Sequence, residues 1–204
     1  MPPDFSFEQT FAGTVCGIDE VGRGPLAGPV FAAAVVLPRD LPPPLDRELD
    51  DSKRLSAKKR ERLADIINGC AFVGIGQASV AEIDQVNILQ ATFLAMGRAL
   101  DALRSQTTVD QALVDGNQRP PLPCPVQCIV KGDSRSLSIA AASVVAKVTR
   151  DRLMTELATV FPGYGWERNA GYGTAEHRDA LGRLGITPHH RRSFAPIADL
   201  IGNR

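Results

Sequence analysis

VCGIDEVGRGP, residues 15–25, is an apolar run that ends in two acidic side chains and a glycine-rich turn. The run predicts a strand, and Gly22 and Gly24 indicate that the strand ends at the acids. Neighbouring side chains of a regular strand point to opposite faces, so Asp19 and Glu20 can serve one site only at such an end. Buried carboxylates are costly unless they are paired or bind a metal, and α/β proteins bind ligands at the carboxyl ends of strands. A solvated turn is the alternative for this pair taken alone.

Two further acids lie where predicted elements end or begin. Asp115 follows the apolar residues 112–114 and precedes Gly116, and Asp133 comes just before a long alanine-rich helix pattern. A turn residue and a helix N-cap are the respective structural alternatives. Four carboxylates in a chain with only three histidines form an oxygen ligand set that suits Mg²⁺ or Mn²⁺ and not zinc. Two such ions about 3.5–4 Å apart can hold the attacking and leaving oxygens of a phosphodiester.

The hydrophobic periodicity predicts an α/β fold with a mixed central sheet flanked by helices. Strands are predicted at residues 15–18, 30–37, 71–79, 111–114 and 126–130. Helices are predicted from the N-cap Ser56 to residue 69, over 88–104, over about 134–160, over 174–184 with Thr174 as N-cap, and over about 194–201. One domain is expected over 1–204, with a flexible arm at 1–12 and a small helical C-terminal portion at about 160–204.

Bulk composition places the chain among ordinary globular proteins. Of 204 residues, 44% are hydrophobic and 23% are charged, and the formal net charge is zero, which by itself argues against a nucleic-acid binder. Basic side chains are nevertheless crowded into residues 53–62, and Arg191 and Arg192 form a second basic cluster. Taken alone, each cluster is expected to be a solvated surface. The four cysteines lack CxxC spacing and are expected to be buried, reduced thiols. Without a secretory signal pattern or an apolar run of about 20 residues, a cytoplasmic protein is expected.

A series of segments resembles the ribonuclease HII family. In chain order they are 17–30 (GIDEVGRGPLAGPV), 51–56 (DSKRLS), 83–89 (IDQVNIL), 114–116 (VDG), 131–133 (KGD) with 138–143 (SIAAAS) and 146–147 (AK), 171–174 (GYGT) and 190–194 (HRRSF). The matches extend over about residues 14–196, and no acid of the pattern is replaced. The resemblance implies an RNase H-like fold, two-metal catalysis with Mg²⁺ or Mn²⁺, and hydrolysis of the RNA strand of RNA–DNA hybrids.

The resemblance also implies roles for individual residues. The implied catalytic, metal-binding acids are Asp19, Glu20, Asp115 and Asp133. The residues implied to contact the nucleic acid at an RNA–DNA junction are Gly22, Arg23, Gly24 and Tyr172, the last by stacking on the deoxyribose that follows the ribonucleotide. Glycines permit close backbone approach to a 2′-OH, and an aromatic face suits a sugar ring, although a lone tyrosine can also anchor a loop. Lys53, Ser143 and Lys147 are expected phosphate contacts.

Two other functions compete with this interpretation. A junction resolvase, another two-metal nuclease, would not need the glycine and tyrosine elements, because it has no 2′-OH to recognise. A non-catalytic hybrid-binding module would not need four intact acids. We therefore expect a monomeric nuclease that binds an RNA–DNA hybrid or ribonucleotide-containing duplex DNA, without a membrane partner. Cleavage is expected on the 5′ side of a single ribonucleotide, in ribonucleotide and RNA primer removal, and leaves a 3′-OH and a 5′-phosphate.

Three further expectations concern the adjacent histidines and the two ends of the chain. His189 and His190 are expected to be loop residues, because two metal ions would already activate the water. The short arm before residue 14 favours the HII family over ribonuclease HIII, which has an additional N-terminal domain. The ending at residues 201–204 (IGNR) predicts no extension that binds a sliding clamp.

Overall fold

A five-stranded mixed sheet forms the centre of the computed structural model, which describes residues 2–202. The strands are β1 (Val15–Val21), β2 (Val30–Val36), β3 (Phe72–Ala78), β4 (Gln111–Asp115) and β5 (Val126–Ile129). They lie in the order β3-β2-β1-β4-β5. Strands β1, β2 and β3 pair antiparallel, whereas β4 runs parallel to both β1 and β5. The carboxyl ends of β1, β4 and β5 therefore meet at one edge of the sheet, where α/β folds place their ligands.

Helices cover both faces of the sheet in this part of the chain. They are α1 (Leu45–Glu48), α2 (Ala57–Cys70), α3 (Val80–Arg104), α4 (Leu137–Val160), α5 (Trp166–Asn169), α6 (Ala175–Leu184) and α7 (Ala195–Gly202). Helices α2 and α4 share one apolar core with the sheet, and α3 shares another with the opposite face. A smaller core around Trp166 and Leu181 joins the helices after α4. The predicted mixed sheet flanked by helices is confirmed.

Close backbone contact brings the two long helices onto the sheet. A methyl group added at Gly17 of β1 would lie 2.1 Å from the carbonyl carbon of Ser138 in α4. The same addition at Gly74 of β3 would lie 2.1 Å from the carbonyl oxygen of Ala99 in α3. Distances this short leave no room for a side chain, so these glycines set how near the helices lie to the strands.

Helix boundaries agree with the sequence where a side-chain cap is present. Ser56 and Thr174 accept hydrogen bonds from backbone N–H groups at the starts of α2 and α6, so both predicted N-caps are confirmed. Helix α3, in contrast, begins at Val80 and not at residue 88. The backbone of Asn87 has a positive φ of 68° and bends this helix, so the apolar periodicity does not continue across it. Helices α1 and α5, with four residues each, are too short to produce a periodic pattern.

The start of α4 also differs from the prediction. The helix begins at Leu137, and the hydroxyl of Ser136 accepts a hydrogen bond from the N–H of Ile139 as its N-cap. Asp133 lies before the helix, in a 3-10 turn at Gly132–Ser134. Asp133 is therefore not the helix cap, which was the structural alternative for this residue.

The segment expected to be a flexible arm is attached to the body of the protein. Glu8 lies in a short 3-10 helix, and its Oε1 accepts hydrogen bonds from Oγ of Ser136 at 2.6 Å and from the N–H of Ser138 at 2.9 Å. Phe7 and Phe11 pack against the small apolar cluster beneath α4. A carboxylate at the start of a helix and buried aromatic surface both favour this attachment.

The sequence predicts four buried, reduced thiols, and the prediction of burial is correct for one of them. All four thiols are free, but only Cys16 is buried, whereas the other three are partly exposed. At the C-terminus, α7 covers the predicted last helix, while Asn203 and Arg204 lie outside the described residues. No helix among residues 2–202 is long and apolar enough to cross a membrane.

The contact between β1 and α4 gives a prediction for stability. Gly17→Ala should lower the free energy of unfolding by about 3 kcal/mol, because the new methyl group must push the α4 backbone away. Gly97→Ala in α3 is the matched control: nothing lies within 4 Å of its added methyl group, so it should raise the stability by up to about 1 kcal/mol. Urea denaturation followed by circular dichroism measures both. Equal stability of the two variants would contradict the packing described here.

Candidate metal centre and adjoining loops

The register of the sheet places two acids side by side. Ile18 of β1 pairs with Val114 of β4, and the parallel pairing ends there, so Asp19 and Asp115 each come one residue after the last pair. Because side chains alternate along a strand, Asp19 lies on the same face as Gly17, the face that contacts α4. The two carboxylates therefore meet at the edge of the sheet that the sequence predicted.

A third acid reaches this position from the loop after β5. Lys131 adopts a left-handed conformation with φ 57°, directly before the 3-10 turn that carries Asp133. The N–H of Gly132 donates a hydrogen bond to Oδ1 of Asp115 at 2.6 Å, which attaches this turn to β4. Carboxylate oxygens of Asp19, Asp115 and Asp133 all lie within 4.8 Å of one another. Three of the four predicted acids thus form one cluster.

The clustered carboxylates destabilise one another's charged forms. Burial raises the pKa of Asp19 well above its usual range, and the charges of Glu20 and Asp115 raise it further. Burial, Asp115 and Asp51 together raise the pKa of Asp133 to about 6. Opposite charge at such a place favours the ionised form of every acid near it. The cluster therefore fits a divalent cation, which would relieve the repulsion.

Glu20 lies beside the cluster and is not one of its three members. Strand β1 stays paired with β2 through Val21, so the predicted strand end at the acids is correct for the β4 side only. Regular alternation along β1 would turn Glu20 away from Asp19, yet the charge of Glu20 still raises the pKa of Asp19. Burial raises its pKa, an effect that Arg23 opposes from 3.4 Å and Asp115 reinforces. Glu20 is thus close enough to the cluster to interact with it, while its side chain pairs with an arginine of the next turn.

Lys53 and Ser143, two of the predicted phosphate contacts, both lie near the acids. Burial lowers the pKa of Lys53, but the charges of Asp51 and of the three clustered acids outweigh this effect, and the pKa is raised. Ser143 is buried, its Oγ lies 2.9 Å from Oγ of Ser52, and its hydroxyl lowers the pKa of Asp19. This placement favours a role in orienting Asp19 for Ser143, whereas the exposed Lys53 lies within range of the charges of all three acids.

Lys147, the third predicted phosphate contact, belongs to a different surface. Its Nζ lies 2.7 Å from Oδ1 of Asp151, one helical turn further along α4. Together with Arg60 and Arg152 it lines an open groove of about 600 Å³ between α2, α4 and α5. The ammonium group is therefore already paired and lies along the side of α4.

Two loops that the sequence singled out lie against each other. They are the GRG loop, residues 22–24, and the GYG loop, residues 171–173. A methyl group at Gly24 would lie 3.5 Å from Cε1 of Tyr172, so the tyrosine ring contacts the GRG loop. The carbonyl of Gly171 accepts a hydrogen bond from the N–H of Leu26 at 2.8 Å. Tyr172 remains 44% exposed, so its ring is available to a ligand.

A chain of histidines supports the GYG loop. The N–H of Thr187 donates to Nδ1 of His190 at 2.9 Å, so the proton of this ring is on Nε2, which donates to Nε2 of His177 at 3.0 Å. Nδ1 of His177 then donates to the carbonyl of Tyr172 at 2.9 Å. Burial lowers the pKa of both imidazole rings, that of His190 to about 4, so both histidines are neutral at pH 7. Neither His189 nor His190 belongs to the acid cluster.

Two buried arginines lie behind these loops. Arg191 is predicted to belong to a basic surface cluster, and this prediction is wrong, because Arg191 is 0% exposed. Arg150 of α4 is equally buried, and no sequence pattern assigns it a role. Arginine is rarely buried fully, so a single arginine within the alanine-rich, apolar part of α4 is the feature that could have identified it.

Comparison with known proteins gives the family. The model of a family described as Ribonuclease HII matches residues 16–197. The chain belongs to the ribonuclease HII family. It is 66% identical over 197 residues to ribonuclease HII of Paramagnetospirillum magneticum, a match that covers 96% of this chain and 97% of the relative. As a ribonuclease HII family member, the protein is an enzyme, a hydrolase that cleaves RNA in RNA–DNA hybrids.

Solved structures show the same fold. The ribonuclease H2 of Pyrococcus horikoshii OT3 superposes with a TM-score of 0.75 at 25% identity, over 94% of this chain and 98% of that one. Bst-RNase HIII, in a structure in complex with Mn²⁺, has a TM-score of 0.78 at 19% identity, over 100% of this chain and 74% of its own. The RNase H-like fold expected from the ribonuclease HII pattern is therefore confirmed.

The acid cluster gives a prediction for metal binding. In the presence of a chelator, Asp19→Asn should raise the melting temperature by a few degrees, because it removes one of three repelling carboxylates. Without the chelator, added Mg²⁺ should stabilise the wild-type protein by about 2.7 kcal/mol at 100 times the Kd. It should stabilise Asp19→Asn far less. Asp101→Asn, at an exposed position of α3, is the control and should respond to Mg²⁺ like the original chain. Equal stabilisation of all three proteins would exclude Asp19 as a ligand.

Proposed function

We propose that this enzyme, besides cutting the RNA strand of hybrids, incises duplex DNA on the 5′ side of a single embedded ribonucleotide. The products are a 3′-OH and a 5′-phosphate, and the reaction uses two divalent ions, Mg²⁺ or Mn²⁺. Such an activity serves the removal of ribonucleotides and RNA primers from DNA. The observation that carries this proposal is the contact of Tyr172 with the GRG loop, which begins two residues after Glu20.

The ligand chemistry of the cluster supports the choice of metal. The oxygens of Asp19, Asp115 and Asp133 are hard ligands, and no histidine or cysteine belongs to the group. The Mn²⁺ in the RNase HIII structure of the same fold also favours a hard divalent cation. When bound, a pair of such ions polarises the attacking water and neutralises charge on the leaving oxygen. Glu20, next to the cluster, is the candidate fourth ligand.

The chain's own residues supply the orientation and the charge balance. Asp19, Asp115 and Asp133 would hold the ions at the carboxyl ends of the parallel strands, and the scissile phosphate would bind beside them. Lys53 lies within range of the charges of the same cluster, so its ammonium group can contact a phosphate oxygen there. Ser143 orients the carboxylate of Asp19 from the side of α4. Lys147 contacts phosphates that lie farther from the acid cluster, along the side of the same helix.

Recognition of the ribonucleotide is assigned to the two loops. Backbone groups of Gly22, Arg23 and Gly24 can approach a 2′-OH closely, and the 2′-OH is what distinguishes RNA from DNA. The exposed ring of Tyr172 packs on the next sugar, where a second 2′-OH would crowd it. The two contacts together select a ribonucleotide that is followed by a deoxyribonucleotide.

Cleavage of a defined duplex tests the proposed reaction. A duplex with one ribonucleotide should be cut on the 5′ side of that ribonucleotide with Mg²⁺ or Mn²⁺ and remain intact with a chelator. Asp115→Asn should reduce the rate to well below a tenth, a loss of more than 1.4 kcal/mol in transition-state stabilisation, while duplex binding persists. Denaturing gels and end-group analysis give the position and chemistry of the cut. A 2′,3′-cyclic phosphate product would contradict the mechanism, because the 2′-OH would then be the nucleophile.

The role of Tyr172 has its own test. Tyr172→Ala should lower kcat/KM for the single-ribonucleotide duplex about ten-fold, since packing on an aromatic ring is worth roughly 1–3 kcal/mol. Tyr172→Phe, which keeps the ring and loses only the hydroxyl, should be affected far less. The same variants measured on an all-RNA hybrid strand provide the comparison. Equal losses on both substrates would identify Tyr172 as a structural anchor only.

A further inference from the structure

Arg191 directs every nitrogen of its guanidinium group to the backbone around the GRG loop. Nε donates to the carbonyl of Gly28 at 2.9 Å, Nη1 to that of Arg23 at 2.9 Å, and Nη2 to that of Gly22 at 2.5 Å. The ring of Phe194 lies against the guanidinium, with Cζ of the arginine 5.0 Å from the ring centroid. A planar group with this many fixed partners holds the loop in one conformation.

Arg150 connects the chain after the GRG loop to the GYG loop. Its Nε donates to the carbonyl of Pro29 at 3.0 Å and its Nη2 to that of Ala27 at 3.0 Å. Its Nη1 donates at 2.8 Å to the carbonyl of Ala170, the residue directly before the GYG loop. One rigid side chain therefore fixes the separation between the two loops.

Both arginines are charged and buried without a carboxylate as hydrogen-bond partner among the described residues. Their guanidinium groups donate only to backbone carbonyls. Burial lowers the pKa of Arg150 to about 10 and that of Arg191 to about 9, so both remain protonated at pH 7. A buried charge is costly, and apolar side chains of similar volume often give equal stability. Stability alone therefore gives little reason for two such residues, whereas control of peptide orientation does.

The contacts of Arg191 determine where the N–H groups of the GRG loop point. In a trans peptide the C=O of one residue and the N–H of the next point in opposite directions. The carbonyls of Gly22 and Arg23 point toward Arg191, so the N–H groups of Arg23 and Gly24 point away from it. Within residues 2–202 neither N–H has a hydrogen-bond acceptor. Two free donors are thus directed outward beside Tyr172, where a sugar hydroxyl could accept or share a hydrogen bond.

We propose that Arg150 and Arg191 are positioning residues for junction recognition: Arg191 orients the N–H donors of the GRG loop, and Arg150 sets the distance from these donors to Tyr172. The inference rests on the proposed recognition of single ribonucleotides by these loops. Neither arginine touches the substrate. Both act through backbone geometry, in which a displacement of about 1 Å is enough to weaken a reaction strongly.

Lysine substitutions test this role because they keep the charge and lose the planar set of donors. For Arg150→Lys, the ratio of kcat/KM on a single-ribonucleotide duplex to kcat/KM on an all-RNA hybrid should fall about ten-fold, the loss also expected for Tyr172→Ala. Activity on the hybrid reports an intact fold and metal centre. Arg152→Lys, two residues further along α4 and at the surface in ion pairs with Glu61 and Asp65, is the matched control and should leave the ratio unchanged.

Arg191→Lys has a second readout that is independent of catalysis. In the presence of a chelator, fluorescence anisotropy gives the Kd for a single-ribonucleotide duplex and for the all-DNA duplex of the same sequence. The original chain should prefer the ribonucleotide, and Arg191→Lys should lose most of this preference while affinity for all-DNA duplex is retained. A purely structural role would weaken binding to both duplexes equally.

Phe194→Leu provides a milder variant if the buried lysines prevent folding. It leaves every hydrogen bond of Arg191 in place and removes only the aromatic ring against the guanidinium. The preference for the ribonucleotide should fall about three-fold, with an unchanged far-ultraviolet circular dichroism spectrum. An unchanged preference in Phe194→Leu, or in folded Arg150→Lys and Arg191→Lys, would overturn the inference.

The experiment separates this inference from the function on which it rests. If the original chain does not distinguish a single ribonucleotide from all-DNA duplex, the proposed junction recognition fails, and the inference fails with it. If the original chain distinguishes them and the variants do so equally well, only the positioning role is wrong. Loss of the preference in the arginine variants, with a normal Arg152→Lys control, supports both.

Discussion

Mutual repulsion of three carboxylates is the constraint on which this structure depends. Asp19, Asp115 and Asp133 keep oxygens within 4.8 Å of one another, and burial and proximity raise the pKa values of Asp19 and Asp133. Such an arrangement has to be imposed by the rest of the fold, because isolated side chains would move apart. The parallel register of β1 and β4 fixes two of the acids, and the hydrogen bond from Gly132 to Asp115 fixes the turn that carries the third.

The packing of α4 on the sheet serves this arrangement directly. Gly17 lets the backbone of α4 contact β1, so Ser143 reaches the buried side of Asp19. Ser52 approaches Ser143 from the loop before α2 and completes the support. The attached N-terminal segment, through Glu8, satisfies N–H and hydroxyl groups at the start of the same helix. A cluster that repels itself is thus surrounded by close contacts that leave it little freedom to relax.

Positive charge in this protein is divided between its surface and its interior. The chain has equal numbers of acidic and basic residues, and several basic residues, such as the half-buried Lys147 and the exposed Arg152, are already in ion pairs. The charged groups of Arg150 and Arg191 donate hydrogen bonds to backbone carbonyls inside the protein. Net charge therefore says little about the substrate, since two of the positive groups are buried behind the loops, whereas the exposed Lys53 lies within range of the charges of the three acids.

Local patterns in the sequence were enough to predict the sheet, two helix caps, the family resemblance and three acids that meet in the fold, because strand periodicity, cap residues and acids at strand ends depend on neighbouring residues. The sequence could not show that Glu20 stays outside this group of three acids, since β1 remains paired with β2 through Val21. It also misplaced Arg191, which looks like a surface residue beside Arg192 until the fold brings the GRG loop over it. Side-chain direction at a strand end and burial of a charge are decided by contacts between distant segments. Those contacts exist only once the chain has folded.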